Sequence, residues 1–266
     1  MNLVIQVGPV AHLPLDSLDI QTYISNMCLN NGWLMSNKLS TQHKILDAAQ
    51  SLFAETGFNG TSLRQITSQA EVNLASVNYH FGSKKELIQA VLQRYLVVLM
   101  PRLDQEFTRL LASQQPNSLN QVLSVFVRPL LELNKVHPHG TRIFLQLLGR
   151  GYTDVQGHLR WFFNHHYGRV LDKLVLLVQQ ACPDLPASEL FWRLHFSLGT
   201  AVFTMASSEA LAEIAEADFN EKVDIEGVIL RLLPYLAAAI AAPIPQVAQL
   251  SKTTSQTAPL MASEGR

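Results

Sequence analysis

The stretch EVNLASVNYHFGSKKEL, residues 71–87, gathers side chains that could read and grip a polyanion. The Asn78 carboxamide carries a donor and an acceptor side by side, which lets it pair bidentately with an adenine edge, and the Ser76 hydroxyl can bond several base edges. The Ala75 methyl could pack on a thymine methyl. Tyr79, His80 and the Lys84 ammonium suit phosphate oxygens, contacts that fix register without reading sequence. Such groups work together only if a short rigid element carries them outward, so the elements around them decide what they can do.

The local punctuation predicts three short helices. From Thr41, the residues Ile45, Leu46, Ala49, Leu52 and Phe53 form one apolar stripe of helical spacing. ETGFNGTS stops it, with Gly57 free to take the left-handed conformation and Gly60 loosening the loop. Thr61 or Ser62 then caps a second helix that runs to about Ala70, and Ser62 with Gln65 matches a capping box. Asn73 is expected to cap a third helix over 74–81. Gly82 ends that helix, and Ser83 with Glu86 forms another capping box at the start of a longer one. Two short helices joined by a four-residue turn describe a helix-turn-helix, whose last helix lies in the DNA major groove. Leu74, Val77 and Phe81 share an arc that can dock on Leu52, Phe53 and Ile66, although Leu74, at the helix start, could instead reach the groove. Amides at the starts of the second and fourth helices add anion-binding capacity.

Over roughly fifty consecutive residues, ILDAAQSLFAETGFNGTSLRQITSQAEVNLASVNYHFGSKKELIQAVL closely resembles the DNA-binding domain of TetR-family transcriptional regulators. The resemblance rests on the AAxxLFAExGF pattern, on TSLRQI and on YHFGSKKEL. It implies that Ser62, Tyr79, His80 and Lys84 hold phosphates, while Arg64, Leu74, Ala75 and Asn78 occupy positions used for base contacts. Where the family often has Lys-Gly or a similar pair, this chain has Leu74 and Ala75, so base readout leans on Arg64 and Asn78. Arg64 could instead bind phosphate or a nearby acid such as Glu71.

The bulk numbers fit a chain of this kind without requiring it. At 266 residues and 48% apolar content there is material for a sizeable core, and the formal net charge is only −1. Residues 1–35 hold two acids and no Lys or Arg, whereas 36–100 hold six bases and four acids, a small basic excess around the motif. Cys28 and Cys182 have no metal-site spacing, and His158, His165 and His166 lack a carboxylate motif beside them, so no metal or other cofactor is expected. No GxSxG, Walker loop, zinc signature or paired carboxylates suggest an enzyme. No apolar run reaches about 18 residues and no positive leader precedes one, so a cytoplasmic protein without membrane contact is expected.

Beyond Pro101 every segment reads as helix: 102–114, 118–134, 141–150, 155–181, 187–213 and 224–241. The expected fold is therefore all-α, with a disordered or mispredicted extension at 1–38, a helix-turn-helix domain at 39–86, a helical domain at 87–242 and a disordered tail at 243–266. In 187–213, Leu190, Phe191, Leu194, Leu198, Val202 and Met205 line one side, and Trp192, Phe196 and Phe203 widen the apolar surface beyond one stripe. With the last helix, this segment is expected to build a four-helix bundle with a second copy; the alternative is the centre of a monomer core. Arg142, Phe144, Trp161, Phe162, Trp192 and Phe196 are candidates to line a ligand pocket, with arginine anchoring an anionic head group, and the same aromatics could simply be core.

GSKKELIQAV, GHLR, LPASELFWRLHFSLGTAVFTM and ALAEIAEADF look like the fatty-acid-responsive PsrA type within the family. That resemblance implies a homodimeric repressor of fatty-acid degradation genes, bound to a double-stranded operator and released by a long-chain fatty acid or acyl-CoA. The rival is a regulator of efflux genes answering a different hydrophobic ligand. Met35 precedes the polar SNKLSTQHK and is expected to be the physiological start; the intact mass of the natively expressed protein should correspond to a chain beginning there, and a mass that includes Met1 would contradict it.

Overall fold

The computed structural model describes residues 37–154 and 156–244, and every regular element among them is helical. Residues 1–36 and 245–266, which include Met35 and most of the expected tail, lie outside the described residues. The first helix, α1 (Asn37–Gly60), starts within the segment expected to precede the motif and is broken at Gly57 (φ 78°, ψ 170°). The buried Thr61 closes this end by donating its hydroxyl to the Gly57 carbonyl at 2.7 Å, which leaves Ser62 alone to cap the next helix.

α2 (Leu63–Ala70) carries the expected capping box, with Ser62 and Gln65 satisfying each other's backbone N–H groups. The turn to α3 (Leu74–Phe81) is three residues, one fewer than expected. Glu71 takes the left-handed conformation (φ 54°, ψ 45°) and reverses the chain in a single step, with the Val72 N–H donating to the Thr67 carbonyl at 3.0 Å. α4 (Lys84–Leu111) starts at Ser83 with half of its expected box, Ser83 Oγ accepting from the Glu86 N–H at 3.3 Å.

Two helices differ from expectation for a shared reason. Pro101 does not end α4, although proline cannot donate to the carbonyl four residues back. Buried residues on both sides, Leu96, Leu99, Met100, Leu103 and Phe107, hold the helix together across the missing bond. Pro129, by contrast, lies in the first turn of a new helix, where its missing N–H has no carbonyl to serve. The single helix expected over 118–134 is accordingly α5 (Leu119–Ser124), α6 (Val127–Glu132) and one 3-10 turn at Leu133–Lys135.

The remainder is α7 (Gly140–Asp154), α8 (Gln156–Ala181), α9 (Ala187–Ala206), α10 (Ser208–Phe219) and α11 (Ile225–Ala241). The helix expected over 187–213 breaks at Ser207, where the chain turns to bury Met205 and Ser208. Pro234 lies within α11. α4 packs along α8 and α1, α1 packs on α7, and α9 lies between α7 and α11. One apolar core runs from Phe53, Ile66 and Val77 beneath α3 to Leu147, Leu177 and Ile240 in the body.

Gly82, which ends α3, has φ 74° and ψ −65°, a conformation that a side chain rarely adopts. Gly82→Ala should therefore lower the unfolding free energy by about 1–3 kcal/mol. At Gly60 an added Cβ would meet nothing nearer than Thr56 Cβ at 3.6 Å, so Gly60→Ala should change stability by less than about 1 kcal/mol. Urea unfolding of both variants checks the contrast.

Candidate nucleic-acid interface

The geometry of α3 is set by its two ends and its buried arc. At its start Asn73 Oδ1 accepts from the Ser76 N–H at 2.8 Å and from the Ser76 hydroxyl at 3.0 Å. Ser76 is thus engaged in the cap instead of standing ready for a base edge. At its end the Gly82 N–H donates to the Asn78 carbonyl at 2.9 Å. Val77 and Phe81 are buried in the core. With that arc fixed, helical periodicity sends Leu74, Ala75 and Asn78 to the exposed side, together with Tyr79.

Leu74, for which docking and outward projection were both open, is 42% exposed and faces outward. Tyr79 is 70% exposed, with its ring edge-on to His80 at 5.2 Å. His80 and Lys84 are half-buried, and Lys84 is the first residue of α4. Arg64 is exposed near the start of α2 and forms no ion pair among the described residues, so the suggested pairing with Glu71 is not formed. The Ser62 hydroxyl is spent inside its capping box, donating to Gln65 Oε1 at 2.8 Å and accepting from the Gln65 N–H at 3.2 Å. What the start of α2 retains for an anion is its orphan first-turn amides. The structure thus brings seven of the eight predicted contact residues onto three neighbouring helices, with Ser62 as the cap before α2.

The candidates for a ligand pocket do not converge in this way. Phe144 and Phe162 are packed in the core. Arg142 pairs through Nη1 with Glu209 at the start of α10, while its Nε is buried with no partner. Trp161 faces outward on α8, stacked on His165 at 4.8 Å. Trp192 and Phe196, 54% and 64% exposed, stack on each other at 5.8 Å along the outer face of α9.

Sequence reasoning missed the contacts that seat the helix-turn-helix on the body. Arg94 of α4 donates to Asp47 of α1 at 2.7 Å, and Arg150 of α7 donates to the Glu55 carbonyl of α1 at 3.3 Å. Partners 47 and 95 positions apart leave no local spacing signal to find.

Two family models match the chain in the order of these two parts. The model for bacterial regulatory proteins of the tetR family covers residues 45–91, and that for the tetracyclin repressor-like C-terminal domain covers 124–239, together more than half of the chain. The chain belongs to the TetR family. Among curated relatives, the probable HTH-type transcriptional regulator YttP of Bacillus subtilis is 40% identical over 58 residues, 22% of this chain and 28% of that protein. RutR of Escherichia coli is 32% identical over 113 residues, 41% of this chain and 49% of that protein. The chain therefore spans half or less of the length of these relatives. Among solved structures, a HlyIIR mutant superposes with a TM-score of 0.53 at 18% identity, covering 77% of this chain and 99% of that one. A TetR-family regulator from Shewanella sp. PV-4 gives 0.50 at 19% identity, over 76% and 99%. These two likenesses establish the fold, a TetR-type helix-turn-helix joined to a helical body.

Because Asn73 bonds two groups at the start of α3, Asn73→Ala should lower the unfolding free energy by about 0.5–2 kcal/mol. Asn78→Ala removes an exposed side chain and should stay within about 0.5 kcal/mol of the parent. Equal losses in denaturant titrations of the two would contradict this account of how α3 is held.

Proposed function

We propose that this TetR-family chain is a homodimeric repressor that binds a two-fold related operator and leaves it when a long-chain fatty acid or its acyl-CoA binds the body. The observation that carries the DNA part is the exposed Leu74, Ala75, Asn78 and Tyr79 face of α3, flanked by the capped starts of α2 and α4. Asn78 and Arg64 take base edges, with Leu74 and Ala75 as apolar contacts. The first-turn amides that follow Ser62, with Tyr79, His80 and Lys84, fix the register on phosphates.

Dimerisation is supported by the surface of α9 and α11. Phe191, Trp192, Phe196 and Phe203 on α9 and Leu230 and Tyr235 on α11 are all exposed, so this apolar face is not the centre of a monomer core. A self-complementary face of this kind is covered by a second copy of itself about a two-fold axis. Two heads can then meet successive major grooves, about 34–36 Å apart.

For the effector, the support is the apolar body together with Arg142. Its buried, unpartnered Nε is a donor that a carboxylate or phosphate would satisfy, next to an ion pair with Glu209 that an anion can displace. Binding empties the operator only by as much as the effector prefers the released state.

In gel-shift titrations, oleate or oleoyl-CoA should weaken operator binding, and no change with either would remove the acyl effector from the account. Tyr79→Phe or Lys84→Ala should weaken binding to all duplexes, with the Lys84 variant lowering the salt slope by about one unit. Asn78→Ala or Arg64→Ala should relax base choice; an unchanged sequence preference in both would reject their assignment.

A further inference from the structure

We propose that Arg94 is a positioning residue that sets the angle at which the helix-turn-helix head stands on the body. Arg94 lies in the middle of α4 and is 9% exposed, yet it touches no part of the face proposed to meet DNA. Its Nη1 donates to Asp47 Oδ1 at 2.7 Å and to Gln50 Oε1 at 3.3 Å, both on α1. Gln50 is fully buried and its Nε2 has no partner, so the bond to Arg94 is what orients its carboxamide. A guanidinium is planar and presents its donors in a fixed fork, so it constrains direction as well as distance. Arg150 holds α1 a second time through the Glu55 carbonyl at 3.3 Å. Asp47 and Glu55 are about 12 Å apart along the helix. Two holds at that separation fix the direction of a rod; Arg150 is exposed, whereas Arg94 is buried against the Asp47 carboxylate.

The rest of α4 makes this hold consequential. Below Arg94 the helix is anchored in the body by charged pairs, Arg102 to Glu132 at 3.4 Å and Asp104 to Lys173 at 2.6 Å, and by Phe107 against Phe126 at 5.5 Å. On either side of Arg94, above Pro101, α4 meets the body through neutral groups: Tyr167 donates to Gln93 at 3.0 Å, and the Tyr95 ring lies 5.6 Å from that of Phe144. Between the two segments stands Pro101, which cannot close the backbone bond to the Val97 carbonyl. α4 is thus a head-bound segment and a body-bound segment with one backbone bond missing between them. Arg94 binds the upper segment to α1, which itself lies on α7 of the body, and so fixes the angle between the two helices that join head and body.

The assignment rests on the DNA-binding reading for its consequence but not for its geometry, and the test separates the two. In the full chain, with Cys28 and Cys182 replaced by serine and diluted with unlabelled chain, spin labels at Gln69→Cys on α2 and Gln180→Cys on α8 report the distance between head and body within one copy. Arg94→Met should broaden or shift that distribution, Arg94→Lys should restore most of it, and Pro101→Ala should narrow it. On duplexes selected by the parent protein, Arg94→Met should keep single half-site affinity within about twofold. The paired operator should weaken about tenfold or more, because the two heads no longer engage together, and the preference among half-site spacings should flatten. Distance distributions unchanged in Arg94→Met and Pro101→Ala would overturn the proposal whether or not any duplex is bound. An equal loss on half-site and operator would also overturn it, since Arg94 would then serve the head's stability alone. Failure of the parent protein to select any duplex would instead fall on the DNA-binding reading, leaving the distance measurement to judge Arg94.

Discussion

An eight-residue helix cannot hold itself in water, because nucleation fixes several dihedrals before propagation returns enough hydrogen bonds. α3 is that short, and the reading of DNA proposed for it depends on its being rigid. Its rigidity is borrowed from three places: the Asn73 cap, the Gly82 stop, and the burial of Val77 and Phe81. Each leaves the opposite face unused. The apolar arc faces inward to hold the helix, so Leu74, Ala75, Asn78 and Tyr79 are outward for geometric reasons before any question of ligand arises.

The same logic extends from the head into the body. A face carried by α3 is useful on a two-fold operator only if both heads stand at the right separation, and α3 itself does not set that separation. In the proposed dimer that falls to α4 and α1: one joins head to body through continuous helix, the other lies on α7. The apolar core running without interruption from Phe53 to the body helices makes the head part of one packed unit instead of a bead on a linker. In such a unit α1 and α4 pack directly on α7 and α8 of the body.

What the sequence reveals and what it hides divide along the range of the interactions. The caps at Ser62 and Asn73, the stop at Gly82 and the helix-turn-helix itself are local, written within four residues, and are legible. Pro101 reads as a helix end because the burial of Leu96, Met100 and Phe107 that overrides it is tertiary. Ser76 reads as a base contact because its engagement with Asn73 Oδ1 depends on rotamers, not spacing. The body is harder still. Aromatic residues at helical spacing look alike whether they line a cavity, fill a core or cover a surface, and the structure divides them: Phe144 and Phe162 inside, Trp161, Trp192 and Phe196 outside. Arg94 with Asp47 has no sequence signal, since the partners are far apart in the chain and meet only in the fold.

The central claim, that two copies of α3 read a two-fold DNA site, is tested most directly by selecting duplexes from a randomised pool with the full chain and sequencing what is retained. The retained pool should hold inverted repeats whose half-site centres lie about 34–36 Å apart. Retained sequences without repeat symmetry, or no enrichment over the input pool, would contradict it.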